Sequence, residues 1–590
     1  MEKKYILPFS FLIISILWAD NEKILIDELV LRGNKNVSKN EIFYIIRQRP
    51  PNFFFRRPEF DPRLLKLDAY TLENYYKSKG FLDVSVKESY EIEDQFANLI
   101  LEVNEGKQYF LSDVKINGNS VIDEDEIAKS LDMKLGEPYN PVAINDNLYI
   151  LENKYHNKGK LFFSITIQDV ISDSVDVQIN INEGDDVYIN NTYFQDLGDI
   201  DSSIIWRELT YDTGDKYSRT EIDRTSNRIR ELGVFSMANF VPVKVANSDT
   251  LVNILVELKR YKQREWNSSG GLDPISFAEG TPDLPALSAT IEWRNRSIFN
   301  TPNQFSTKLL AGIPVETDFI TPRIRYDASL SSNWFFGIRV PTKITGYYER
   351  FIRYEDRTYE RSIARSGANL RQRLKIDDRS YLENKIIWES FSDSSIQTIQ
   401  ERSILLRFLL DKKDDPIFTR NGYLLDMVLK TAGFGGSREY YKADLTIQSY
   451  LGITQKTVCA LRIQTGKIWN WKYDDDFSFE KFYLGGSTSM RAWDVLMFQN
   501  INDETEGGII RFMTNIELRQ NIYKMLGSTI FADAGILADR MPSDIISALN
   551  WDVGIGLTLK TPLGPARLDY AVQLDNSDVN KVQLGVQYLF

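Results

Sequence analysis

The chain has 590 residues, 83 acidic against 71 basic side chains, a formal net charge of −12, one cysteine and one histidine. The acidic balance argues against a nucleic-acid partner. Cys459 cannot form an intrachain disulfide, and a Cys/His metal site is nearly excluded. Any Ser-His-Asp or Cys-His catalytic set would have to use His156, which falls in Tyr155-His156-Asn157-Lys158-Gly159 and reads as a surface residue at a helix end.

The chain opens with Lys3 and Lys4, an apolar run from Tyr5 to Leu17, then Trp18 and Ala19. A basic start, an apolar core and a small residue predict a secretory leader over 1–19. Beyond it, no internal run approaches the ~20 apolar residues of a membrane-spanning helix.

Residues 20–261 alternate helix-period and strand-period segments in three modules, 20–106, 107–186 and 187–261. Strand-like openings are Ile24 to Asn34, Tyr109 to Asn119 and Val187 to Gln195, the last without the closing Gly-Asn of the others. Capping boxes follow at Ser38-x-x-Glu41 and Asp123-x-x-Glu126; a third, Ser218-x-x-Glu221, opens the later helix of its unit. Each later helix ends at a glycine, Gly80, Gly159 or Gly233, where a left-handed residue closes the helix. Leu65, Ala69, Leu72, Tyr76 and Ile144, Leu148, Leu151, Tyr155 make one buried stripe each. Two strands close every unit, giving a β-α-α-β-β order, and the first two units end in Asn104-Glu105-Gly106-Lys107 and Asn182-Glu183-Gly184-Asp185. Recurrence of this kind predicts a row of small α+β modules.

From 262 to 590 helix signals vanish and period-two strands take over. Trp551, Val553, Ile555, Leu557 and Leu559 oppose Asp552, Gly554, Gly556, Thr558 and Lys560, while Phe590, Tyr588, Val586, Leu584 and Val582 oppose Leu589, Gln587, Gly585, Gln583 and Lys581. An apolar face against a face of charge and glycine fits a membrane barrel, lipid outside and water inside. Strands of ~10 residues plus turns predict about 16 of them. A closed barrel leaves no unpaired edge in lipid. The first strand should lie near Glu265 to Phe277 and pair with Val582 to Phe590; Ser268, Ser269, Gly270 and Gly271 would weaken that seam, or mark only a glycine-bent linker. No nucleotide motif is present, and neither cofactor nor metal is expected.

Three stretches carry a family resemblance. The hairpin Asp411-Lys412-Lys413-Asp414-Asp415-Pro416-Ile417-Phe418-Thr419-Arg420-Asn421-Gly422-Tyr423 is one. Phe482-Tyr483-Leu484-Gly485-Gly486-Ser487-Thr488-Ser489-Met490-Arg491-Ala492-Trp493 is the second. Asn515 to Arg519, Phe531 to Gly535 and Thr561 to Tyr570 form the third. These three resemble the BamA/TamA superfamily of outer-membrane insertases and translocases, whose periplasmic modules are called POTRA domains. Lys413 and Thr419 depart from the family's hairpin, and Met490, Ala492 and Trp493 from its loop motif V-R-G-F. Ala492 replaces a glycine and should narrow the backbone choices of the loop tip. The resemblance implies that this loop folds back into the lumen, where Arg491 pairs with Glu517 and Asp533. Separately, the ending Gln583-Leu584-Gly585-Val586-Gln587-Tyr588-Leu589-Phe590 resembles the C-terminal recognition signal of bacterial outer-membrane barrels, carried by Gln583, Gly585, Tyr588 and Phe590.

Membership of such a family would make the chain a non-enzymatic factor in the bacterial outer membrane. It would insert or translocate unfolded outer-membrane clients through module edges and the seam. Accessory lipoproteins or an inner-membrane-anchored partner would assist it. A secretion pore for one dedicated substrate remains an alternative, although such pores usually carry two modules. A passive porin or adhesin is the other.

Overall fold

The computed structural model describes residues 24–51, 57–276, 283–314, 323–355, 359–393, 396–472, 480–502, 507–523, 525–561, 564–586 and 590. The leader expected at 1–19 lies outside them. The chain divides into two compact units, the first mostly before Tyr193 and the second mostly after Glu257.

The first unit holds two complete repeats. One comprises β1 (Leu25–Arg32), α1 (Lys39–Ile45), α2 (Pro62–Ser78), β2 (Ser85–Glu93) and β3 (Phe96–Asn104). Its sheet order is β1-β3-β2, with β1 parallel and β2 antiparallel to β3. The next comprises β4 (Leu111–Asn117), α3 (Glu124–Ser130), α4 (Pro141–Asn157), β5 (Ser164–Ile171) and β6 (Val175–Asn182), ordered β4-β6-β5 in the same senses. The helical stripes are buried as their spacing dictates: Leu65, Leu72 and Tyr76 against one sheet, Leu151 and Tyr155 against the other. Ser38 and Asp123 cap their helices by accepting from Glu41 N and Glu126 N. The Glu41 and Glu126 carboxylates turn instead to Tyr75 and Lys154 on the neighbouring helix.

Consecutive repeats are joined alike. Tyr109 N donates to Gly80 O and Tyr139 N to Tyr109 O, at 2.8 and 3.0 Å. One repeat on, Val187 N donates to Gly159 O and Tyr217 N to Val187 O, at 2.9 and 2.8 Å. His156 belongs to this second joint. It is buried, with Phe163 and Tyr217 edge-on to its ring at 6.1 Å each, and is not the surface residue its polar neighbours suggested. The carbonyl of Tyr155 caps the helix end, so the polar residues after it turn outward while the imidazole packs inward.

A third three-stranded sheet, β7 (Tyr188–Gln195), β9 (Leu251–Arg260) and β8 (Phe235–Lys244), runs in the order β7-β9-β8. Its helices are α5 (Ser202–Trp206), a short element capped by Asp201, and α6 (Arg219–Glu231). After β7 the left-handed position that Gly33 and Gly118 fill elsewhere falls to Asp196, at φ +60, a residue type that tolerates it. This explains how the third copy dispenses with Gly-Asn.

In the second unit sixteen antiparallel strands pair consecutively: β10 (Arg264–Ser276), β11 (Asp283–Ile298), β12 (Asn303–Pro314), β13 (Arg323–Ser332), β14 (Thr342–Glu355), β15 (Tyr359–Lys375), β16 (Tyr381–Asp393), β17 (Ile396–Asp411), β18 (Gly422–Ala432), β19 (Tyr440–Gly452), β20 (Thr457–Trp469), β21 (Ile510–Tyr523), β22 (Leu526–Ala538), β23 (Asn550–Thr561), β24 (Gly564–Gln573) and β25 (Asn580–Val586). The outer face is apolar and exposed, as Ile555, Leu557, Leu568, Val582 and Leu584 show. The inner face buries Glu349, Glu517, Asp533, Asp552 and Asp569. Tyr441 and Trp469 pair across β19 and β20 at one rim, and Tyr423 stands at the other, as interfacial aromatics do. Among the described residues no helix is long and apolar enough to cross a membrane. Also within this unit, the Glu231, Leu232 and Gly233 carbonyls that end α6 accept from Asn333, Gln304 and Arg296.

Candidate functional site: a loop held inside the barrel

Between β20 and β21, residues 480–502 lie in the lumen. Two glycines turn this loop: Gly485 at φ +110, where a Cβ would strike Asp494 O, and Gly486 at φ +91, against Val495. The Ser489 hydroxyl and the Trp493 carbonyl accept from their two amides. This tight turn presents Met490, Arg491 and Ala492, all fully buried, with Trp493 partly so.

Arg491 grips Asp533 with two parallel bonds, Nε to Oδ2 at 2.8 Å and Nη2 to Oδ1 at 2.7 Å. Its Nη1 donates to Glu517 Oε1 at 2.7 Å and lies 3.6 Å from Asp569 Oδ2. The structure thus brings together the three residues that the resemblance linked. It adds a ring of others: Arg519 on Glu517, Arg567 on Asp569 and on Ser487 O, and Asn515 on Asp533 and on Ser489 O. Arg462 binds Thr488 O, and Asp552 accepts from Ala492 N. Sequence alternation put Asp552 on the inner face, but nothing in it joined Asp552 or Asp569 to the loop.

The last strand takes part. Gln583 Nε2 donates to Arg491 O and Trp493 O, and Lys581 pairs with Asp494 at 2.8 Å. Gly585 leaves room for Arg567, since a Cβ there would lie 2.6 Å from Nη2. Phe590, expected in line with the lipid-facing side chains, instead sets its ring about equally near two inner-face guanidiniums, Arg462 at 5.1 Å and Arg519 at 5.0 Å. Its carbonyl accepts from Arg519, and cation–π attraction favours this placement of the ring. Tyr588 lies outside the described residues.

Ala492 also differs from expectation. Its φ is negative, so glycine's freedom is not used there, and its methyl packs with Phe531 and Ala571.

Gly270 and Gly271 sit within β10, opposite Ala289 and Ser288 of β11 in unbroken register. β10 and β25 approach each other, yet among the described residues no ladder joins them.

The hairpin after β17 is ordered by its acids. Asp411 accepts from Lys413 N, and Asp414 from Asp415, Arg420 and Asn421 N. Pro416 lies in this turn, and Thr419, standing where the family has proline, donates its hydroxyl to Asp415 O. Gly422, at φ +118, passes too close to Lys412 O for any side chain.

Repeated α+β modules ahead of a sixteen-stranded barrel, with a loop latched inside it, define a class of outer-membrane barrel. The Omp85 superfamily domain model matches residues 298–588, and the surface antigen variable number repeat matches 109–184. The outer membrane protein assembly factor BamA of Neorickettsia risticii is 20% identical over 93% of this chain and 76% of its own length. That of Nitratidesulfovibrio vulgaris is 23% identical over 94% and 71%. Among solved structures, BamA from Haemophilus ducreyi lacking POTRA domains 1–3 superposes with a TM-score of 0.60 at 14% identity, over 81% of this chain and 98% of that one. The chain belongs to the Omp85 superfamily.

Proposed function

We propose that this protein assembles outer-membrane β-barrel proteins, taking unfolded clients through modules 20–106, 107–186 and 187–261 and releasing them at the β10–β25 seam. The seam is the observation that carries the reading: two edges lie side by side with no ladder between them among the described residues, and inner-face bonds from the loop hold β25. A client strand can add to such an edge through backbone bonds that ignore its sequence. Edge strands β2 and β5, largely exposed, offer the same chemistry nearer the N-terminus. The work is strand exchange driven by client folding and lipid strain, without covalent catalysis. Accessory lipoproteins or an inner-membrane-anchored partner would deliver clients to the modules. A photo-crosslinker at Gly271 should capture nascent barrel proteins, and depletion should lower many barrel proteins at once. Loss of one exported protein alone would point to a dedicated secretion pore instead.

A further inference from the structure

Besides the Arg491 cluster, a second charged cluster lies in the barrel wall. Lys430 of β18 and Lys442 of β19 stand directly opposite each other in the ladder, and each is only 6% exposed. Like charges so placed repel, and buried charge demands a partner. Glu401 of β17 answers Lys430 at 2.7 Å and accepts from Tyr440 and Ser403. The other partner is not on the wall. Glu480, 5% exposed, comes from the loop where it enters the lumen. Its Oε1 lies 3.1 Å from Lys430 Nζ and its Oε2 3.6 Å from Lys442 Nζ, which also donates to Glu480 O at 2.8 Å. Two residues on, the fully buried Phe482 ring lies under Lys442 at 4.9 Å and Arg511 at 4.7 Å.

We propose that Glu480 is a second anchor of the loop, independent of Arg491. It fixes the loop's root to β18 and β19, while Arg491 latches the tip to β21, β22 and β24. Glu480 is a positioning residue: it holds the tip within reach of its acids, so that a tip released from Asp533 stays in the lumen and re-latches. The proposal rests on loop geometry alone and stands or falls apart from the assembly reading.

The test uses the full chain in detergent micelles, with Cys459→Ser and the buried reporter Ser487→Cys, labelled by a water-soluble maleimide. Unheated gel mobility reports barrel folding. Glu480→Gln and Arg491→Ala should each speed labelling by about a hundredfold, and the double variant by more than either alone, as two independent anchors require. Glu480→Asp should restore a rate near the parent's. Parent-rate labelling in Glu480→Gln, or a double variant no faster than Arg491→Ala, overturns the proposal. Should Glu480→Gln lose the folded band, Lys442→Met with Glu480→Gln, which leaves Lys430 paired with Glu401, is read against the same two outcomes.

Discussion

The Arg491 guanidinium lies over the Phe531 ring, 3.3 Å from its centroid, while its edge meets Asp533 and Glu517. Only a planar cation with forked donors can use face and edge together. Arg491→Lys keeps the charge and should still release the tip, nearly as far as Arg491→Ala. Losing one partner of a buried ion pair costs about 3–5 kcal/mol. Denaturant unfolding of the barrel and assembly of reporter barrel proteins in cells measure both; wild-type values for the lysine variant would refute the stacking argument.

Ala492 gains from its methyl. Ala492→Gly, which restores the family residue, should destabilise the loop by roughly 1 kcal/mol through lost burial and added backbone freedom. Gly485→Ala should be far more damaging, because a methyl would collide with the Asp494 carbonyl. Assembly rates of the two variants, ranked against the parent, check this order.

Glu105 ties the end of β3 to the turn after β1. It accepts from Lys35 N, Asn36 N and the Tyr76 hydroxyl, and Glu183 repeats the pattern with Ser120 N and Val121 N. Burial pushes the Glu105 carboxyl up, but the donors from Asn36, Lys35 and Tyr76 outweigh it and hold it below its ordinary 4.5. Its contribution is therefore complete above pH 4.5 and is lost as pH falls through the lowered value. Glu105→Ala should cost about 1–3 kcal/mol, because the buried Tyr76 hydroxyl loses its acceptor. Hydrogen exchange at residues 35–45 of the full chain should show the loss of protection.

His156 has the opposite sign of acid sensitivity to a paired histidine. Burial pushes its imidazole below the ordinary 6.5, against the upward pull of Glu152, 3.8 Å away. Leu161 also favours the proton, and Arg219 opposes it. Once pH drops below 6.5 the unfolded chain takes the proton first, so the second joint weakens with acid and is firm at neutral pH. Hydrogen exchange around 155–163 and 217–222, compared at about pH 7.5 and 5.5, should reveal reduced protection at the lower pH. His156→Phe should abolish the difference; an unchanged difference would assign it elsewhere.

Much of the fold is legible in the sequence because period two and period 3.6 are enforced wherever one face is apolar. The inward Asp552 and the buried Leu65–Tyr76 stripe follow from counting alone. The burial of His156 is hidden because its polar neighbours say nothing of the next module's Tyr217, 61 positions away. α5 is five residues long, too short to show a period. Lys430, Lys442 and Glu480 escape because an ion triad is a property of strand register and loop return, and neither leaves a local trace. The place of the Phe590 ring is hidden because the guanidiniums beside it, Arg462 and Arg519, lie on β20 and β21.

A lumen occupied by Phe482, Leu484, Met490 and Trp493 is stoppered. In a planar bilayer the protein should pass little current, despite a circumference as wide as that of freely conducting porins of equal strand number. Shortening the loop should turn it into an open channel and make cells that carry it vulnerable to large antibiotics. By that measurement, the loop that bonds to Gln583 and Lys581 of β25 would also be the molecule's own permeability barrier.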